Sequence, residues 1–367
     1  MRLGIPTEIL PGERRVAVVP GVVATLTGAG HDVVLQARAG AAAGFADQAY
    51  IDAGAVTVPS AAALLGSSDA VLKVQGPTPE EAALVREGAT LVGLFSPGRI
   101  LEAVRALAER RVTSHSLELL PRTTRAQSMD ALSSQSTVAG YRAVLIGANR
   151  LHRFFPMLMT AAGTVPPAKV LVLGAGVAGL QAIATARRLG AVVMAYDVRS
   201  AAEGEVRSLG ARFLNLGLAT ADGAGGYAGE LGETAQSAQH AALAPHLTEA
   251  DVVITTAQIP GRPAPLLVTR DMVDRMRPGS VVVDLASDTG GNVEISEPGR
   301  EIDHKGVAVV GVANPASDLP THASQMYARN MANLVVLMTK DGILDPDWSD
   351  DILAATCVTR GGEVLYK

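Results

Sequence analysis

Val170-Leu171-Val172-Leu173 runs directly into Gly174-Ala175-Gly176-Val177-Ala178-Gly179, and a helix-forming run from Leu180 to Leu189 follows. A G-x-G-x-x-G spacing between a strand and a helix confines this part of the chain to a βαβ unit, because each glycine answers a different steric demand. Gly174 permits a tight turn, Gly176 lets the backbone approach a diphosphate, and Gly179 lets the helix pack on the sheet. The helix N-terminus then offers unpaired N–H groups and a favourable dipole to negative charge. A second strand ends at Asp197, 23 residues past Gly174. A carboxylate there accepts hydrogen bonds from a ribose 2′-OH and repels a 2′-phosphate, which selects NAD(H). Arg199 pulls the other way, since a guanidinium pairs with phosphate, but Asp197 holds the strand end. Ala175, Val177, Ala178, Val198 and Ala257 are counted with the cofactor-binding residues. The competing reading, a glycine turn that binds nothing, explains the glycines and leaves the acid without a purpose.

The rest of the chain repeats the strand–helix alternation. Leu3–Pro6, Asp32–Gln36, Ala70–Gln75, Leu91–Phe95 and Val112–Ser116 read as one series of strands. Val170–Leu173, Val192–Tyr196, Asp251–Thr255, Ser280–Leu285 and Val307–Gly311 read as a second. Alternation of this kind predicts an α/β protein of two Rossmann-like domains, parallel sheets flanked by helices, with a cleft between them. A helix over Asp130–Leu151 connects the two sheets, with Ser128 and Asp130 as caps, and Ala323–Lys340 is a helix returning to the first domain. The expected domains are 1–133 with 315–367, and 134–314. Five glycines and Tyr227 within residues 219–233 suggest either a loop that orders on meeting a ligand or a plain connector.

At 367 residues, with 48% hydrophobic and 18% charged residues, the chain has ample apolar surface for two cores and too little charge for disorder. A net charge of −5 and 3% aromatics disfavour nucleic acid, for want of phosphate-binding cations and stacking platforms. The most apolar run, 11 residues from Val170 to Leu180, falls short of the roughly 18–20 needed to span a bilayer. Pro6 and Glu8 interrupt any signal-like N-terminus, so a cytoplasmic chain is expected. A lone cysteine, Cys357, makes no internal disulfide and no thiolate metal cage, and reads as a buried structural thiol. No metal site is expected.

Arg122 to Gln135 is dense in polar side chains at the entrance of the connecting helix. Arg125-Ala126-Gln127-Ser128-Met129-Asp130, Ala139-Gly140-Tyr141, the glycine fingerprint, Asp197-Val198-Arg199, Gly225-Gly226-Tyr227-Ala228, Ile259-Pro260-Gly261 with Pro263-Ala264-Pro265, Gly290-Gly291-Asn292 and Thr356-Cys357-Val358-Thr359-Arg360 together resemble the NAD(H)-binding component, domain I, of proton-translocating nicotinamide nucleotide transhydrogenases. The resemblance spans nearly the whole chain. It implies direct hydride transfer from NADH to NADP⁺ on a partner's NADP(H)-binding domain, of the Si-specific type, coupled to proton translocation by membrane subunits. It further implies a homodimer, peripheral on the cytosolic face of the inner membrane. Carried over by position, Arg122, Gln127, Asp130 and Ser133 contact the nicotinamide and its ribose, the first three as catalytic residues, while Gly226 and Tyr227 ride a closing loop.

Alanine dehydrogenases resemble the chain too, and are the alternative. Hydride transfer between two nicotinamides needs positioning and no general acid or base, whereas reductive amination of pyruvate needs proton transfers and a carboxylate anchor. The resemblance to alanine dehydrogenases implies an Arg, a Lys and a His for this work. Arg15 and Lys73 match, but Leu94-Phe95-Ser96-Pro97-Gly98 holds no imidazole where the His belongs. Lys73 is then either a catalyst or a retained structural cation. Asp288 matches a catalytic Asp of those dehydrogenases, where many transhydrogenases carry Glu. A non-catalytic NAD-binding sensor is a third possibility, which leaves Arg122 to Ser133 unexplained.

Overall fold

The computed structural model describes residues 1–218, 232–259 and 262–366. The chain divides into two compact units, Met1–Gln135 with Ala316–Lys367, and Ser136–Pro315. Both are parallel α/β layers, as the strand–helix alternation predicts.

The first unit is built on an eight-stranded sheet in the order Glu363–Val364, Cys357–Arg360, Thr113–Ser116, Thr90–Leu94, Ala70–Gln75, Arg2–Ile5, Asp32–Gln36, Val56–Val58. Six strands are parallel; Cys357–Arg360 adds antiparallel beside Thr113–Ser116, and Glu363–Val364 pairs antiparallel with Cys357–Arg360 in turn. A tight turn at Gly361 and Gly362, both with positive φ, joins these two strands into a hairpin. The hairpin is stitched on by Thr359 Oγ1, which bonds Ser114 Oγ at 2.6 Å and donates to the Val112 carbonyl at 2.7 Å. Helix Pro320–Met338 packs Tyr327, Met331, Leu334 and Val335 into the core formed with Leu3, Ile5, Leu35 and Leu72. Cys357 is buried, and burial pushes its thiol up to about 11, so it stays an inert thiol.

The second unit has a seven-stranded sheet in the order Arg212–Phe213, Val192–Tyr196, Lys169–Leu173, Val252–Thr255, Val281–Asp284, Val307–Gly311, Glu301–His304. Only the last strand is antiparallel. The central strands, Val252–Thr255 and Val281–Asp284, are buried at every residue, which is why their sequences are continuous apolar runs. Lys169–Leu173 has the strand that follows it in the chain, Val192–Tyr196, on one side and the still later strand Val252–Thr255 on the other. Strand order reverses there, and such a switch point opens a crevice at the carboxyl ends of the strands. Among the described residues, no helix is long and apolar enough to cross a membrane.

Candidate functional site

The glycine fingerprint sits at that switch point. Gly174 has φ +97°, and a Cβ on it would lie 2.7 Å from Thr256 Oγ1. A Cβ on Gly179 would lie 1.9 Å from the Gly174 carbonyl oxygen, so neither position tolerates a side chain. At Gly176 a Cβ would meet nothing within 4 Å: the protein leaves the space over the turn open. Helix Val177–Arg188 begins there with Gly176 as its N-cap, no side-chain cap and no acidic residue in its first turn. These are the features a diphosphate requires. Helix Ala131–Arg150 supports the turn from behind, since a Cβ on Gly140 would stand 2.0 Å from the Ala178 carbonyl oxygen.

Asp197 closes one side. Its Oδ2 accepts from the Ala175 amide at 2.7 Å and from Arg199 Nη2 at 2.9 Å, while Oδ1 accepts from the amide and the Nε of Arg199, both at 2.9 Å. The carboxylate is thus fixed against the glycine turn, and the Arg199 charge is spent on it. Tyr196, Asp197, Arg199, Glu203, Phe213 and Leu216 line a cavity of about 190 Å³ beside the turn, with an apolar wall suited to an adenine and a carboxylate at its rim suited to a ribose. Ala257, on the opposite side of the turn, follows Thr256, whose hydroxyl donates to the Gly174 carbonyl at 3.1 Å. Nothing in the local sequence pattern singled out Thr256. Gly226, Tyr227, Pro260 and Gly261 lie outside the described residues.

In the first unit, Thr124–Met129 forms a 3-10 turn with Ala126 and Met129 buried, which leaves Arg122 and Gln127 exposed. Helix Pro320–Met338 pins this turn, Asn330 and Asn333 each donating to the Ser128 carbonyl at 2.9 Å. Asp130 is the cap of the following helix: Oδ1 accepts from the Ser133 amide at 2.9 Å and Oδ2 from Ser133 Oγ at 2.6 Å. Ser128, expected to share the capping, instead contributes its carbonyl to that anchor. Asp130 and Ser133 therefore act as one hydrogen-bonded pair, both partly accessible.

The Arg and Lys that match alanine dehydrogenases are buried among the chain's own carboxylates. Arg15 grips Glu13 bidentately, Nε to Oε1 at 2.8 Å and Nη2 to Oε2 at 2.6 Å, and its Nη1 donates to Gln135 at 2.8 Å. Burial raises the Glu13 carboxyl, but the bonds and charge of Arg15 outweigh it and bring the group down to about 2. Lys73 Nζ lies 2.7 Å from Glu81 Oε1 and 3.5 Å from Glu8 Oε2, with the lysine side chain 1% exposed. Glu81 also closes the capping box of helix Pro79–Leu84. Glu8 titrates upward because its burial outweighs the attraction of Lys73. Beside them, Glu118 holds the Phe95 and Ser96 amides and the Ser116 hydroxyl, clamping the loop that carries no imidazole. His115 is fully buried, bonds Thr356 at 3.0 Å and stacks on Trp348, and burial lowers it to about 4, so it is neutral at pH 7. Asp288 is exposed on the turn Ser287–Thr289, whose Ser287 is buried. Among the described residues, no group of three or more His, Cys, Asp or Glu is placed to hold a metal ion.

Family models for the alanine dehydrogenase/PNT N-terminal and C-terminal domains match residues 4–139 and 143–367. The chain is 48% identical over 376 residues to an NAD(P) transhydrogenase alpha-subunit chain of Rhodospirillum rubrum, covering 100% of this chain and 98% of that one. It is 32% identical to an alanine dehydrogenase of Halomonas elongata, covering 100% and 95%. A crystal structure of a transhydrogenase from Sinorhizobium meliloti superposes with a TM-score of 0.88 at 44% identity, covering 100% and 99%.

Proposed function

The chain belongs to the alanine dehydrogenase/PNT family, and from that premise we propose that it is the NAD(H)-binding subunit of a proton-translocating NAD(P) transhydrogenase, of the Si-specific type. The observation that carries this reading over amino-acid dehydrogenation is the state of Arg15 and Lys73. A dehydrogenase needs such cations free to receive a substrate carboxylate; here Glu13 occupies the guanidinium fork and Glu8 and Glu81 flank the ammonium. Admitting a small acid would strand one of those buried carboxylates, at a cost of several kcal/mol.

NADH bound at the switch point supplies the hydride. The chain's own task is to hold and aim. The open turn at Gly176 and the uncapped helix receive the diphosphate, Asp197 receives the adenosine ribose and excludes a 2′-phosphate, and Arg122, Gln127, Asp130 and Ser133 serve the nicotinamide and its ribose. No proton transfer is required of any of them. The acceptor is NADP⁺ on a separate NADP(H)-binding domain, and membrane subunits couple the transfer to proton movement, so the chain lies at the cytosolic face of the inner membrane. It acts as a homodimer: among the described residues the two-stranded hairpin Leu158–Thr160/Gly163–Val165 pairs with no other strand, and Phe154, Met157 and Met159 stand 57%, 57% and 76% exposed beside and on it. A lone hairpin with that much apolar surface is marginal until a second copy covers it.

The test is a pair of assays on the purified chain. NADH binding with no turnover of pyruvate, ammonia and NADH, and hydride transfer to an NADP⁺ analogue only after the NADP(H)-binding component is added, is the expected result. Enzyme-like alanine formation by the chain alone would overturn the assignment.

A further inference from the structure

Gly290-Gly291-Asn292 is left without a role by the functional reading above. Asp284, at the end of strand Val281–Asp284 and fully buried, accepts from Thr255 Oγ1 at 2.9 Å, from the amides of Ala286, Asn292 and Val293 at 2.9, 3.0 and 3.3 Å, and from the Ser296 hydroxyl. A carboxylate so surrounded is a rigid anchor in a low-dielectric interior. The chain reaches it through Gly291, whose φ is +81° and where a Cβ would lie 3.2 Å from Asp284 Oδ2; a side chain there would push the following amide off its acceptor.

Asn292, fully buried itself, turns that anchor outward. Its Oδ1 accepts from the Ala257 amide at 3.0 Å, and its Nδ2 donates to the carbonyls of Ala257 and Pro265, each at 2.8 Å. The N–H and the C=O of Ala257 are thereby held by a single amide side chain, a task for which an acceptor and a two-hydrogen donor are needed at once. The Ala257 amide lies against the glycine turn, 3.1 Å from where a Gly174 Cβ would stand. Asp197 and its cavity flank the strand Lys169–Leu173 on the side of Val192–Tyr196; Ala257 follows the strand on the other side. Since a dinucleotide lies across the switch point, the Asp197 side takes the adenosine half and the Ala257 side the nicotinamide half.

We propose that Asn292, anchored by Asp284, is a positioning residue that fixes the Ala257 peptide for the nicotinamide half of the bound dinucleotide. The proposal rests on the dinucleotide reading of the glycine turn, and it locates the control of that half in a residue 35 positions further along the chain from the peptide it holds.

Isothermal titration of the full chain with two probes, NADH and 5′-AMP, separates this role from a general structural one. Asn292→Ala, which removes all three side-chain hydrogen bonds to Ala257 and Pro265, is expected to weaken NADH binding by about tenfold, while 5′-AMP binding stays within about twofold. Asn292→Ser, which keeps a hydroxyl and creates a smaller void, is expected to fall between, and it carries the same comparison should the alanine variant fail to fold. Unchanged NADH binding, or parallel losses for both probes, would overturn the positioning role. A native chain that binds 5′-AMP and NADH equally would overturn it as well, whereas a native chain that binds neither would remove the dinucleotide reading itself.

Discussion

Replacing Lys73 by Met separates a structural cation from a catalyst. The ammonium is buried between two carboxylates, 2.7 Å from Glu81 and 3.5 Å from Glu8. Methionine fills much of the same volume but leaves both acids without their cation, and breaking a buried ion pair in this way costs about 3–5 kcal/mol. For a folding unit of this size, each kcal/mol lowers Tm by about 2–4 °C, so the variant should melt about 6–20 °C below the native chain. Glu8, already raised by burial, would rise further on losing Lys73. A carboxyl whose folded pKa lies above its unfolded value binds its proton more tightly in the fold, so its stabilising effect is present at low pH and is lost as pH rises. The deficit of Lys73→Met should therefore shrink on acidification towards pH 5. Adding Glu81→Gln, which removes one stranded charge, should restore a large part of the lost stability. Calorimetric melts of the three proteins at pH 5, 6 and 7, with NADH titrations well below each Tm, make the test. A Lys73→Met chain that melts with the native protein yet loses hydride transfer would refute the reasoning, because the lysine would then be acting on a substrate.

Asp197→Asn should remove the repulsion felt by a 2′-phosphate and weaken the two guanidinium bonds that Arg199 makes to this side chain, so NADPH affinity should rise at least tenfold while NADH affinity falls, as read by fluorescence titration; unchanged preference would displace Asp197 from the ribose. Met159→Glu, on the exposed hairpin, should shift the chain from dimer to monomer in analytical ultracentrifugation at micromolar concentration while the melting curve of the monomer remains cooperative. His115, lowered to about 4 by burial from an ordinary 6.5, contributes stability that is complete above pH 6.5 and is lost as pH falls towards 4. That loss amounts to about 3 kcal/mol, and His115→Gln should flatten the stability profile over this window. The Glu13 carboxyl, held near 2, adds a second loss below pH 4.5, in the same direction.

Sequence pattern carried the central strands because strands buried on both faces contain little but Val, Ile and Leu, and that signal survives without knowledge of neighbours. Edge strands lack it. Glu301-Ile302-Asp303-His304 alternates exposed and half-buried residues, Val56–Val58 is short and has no buried residue, and Cys357–Arg360 pairs with a strand some 240 residues earlier, a choice no local window contains. Pro245 inside helix Glu233–Glu249 hid that helix, since proline ordinarily reads as a break. The glycine turn and Asp197 were legible because a dinucleotide imposes fixed spacing on one continuous βαβ segment. Glu8, Glu13 and Glu81 were not: only folding places them around Arg15 and Lys73, and in the sequence they pass for surface charge. Asp284 and Asn292 were hidden for the same reason, one inside an apolar run and the other after two glycines.

The C-terminal strands and helix Pro320–Met338 belong to a unit whose other strands lie before residue 135. On the ribosome, residues 136–315 are therefore all available while the earlier sheet still waits for its last two strands. The nucleotide-holding unit can finish folding inside an unfinished host, and a chain cut between residues 316 and 356 would spare the glycine turn while leaving the Thr113–Ser116 edge bare, a ready template for aggregation.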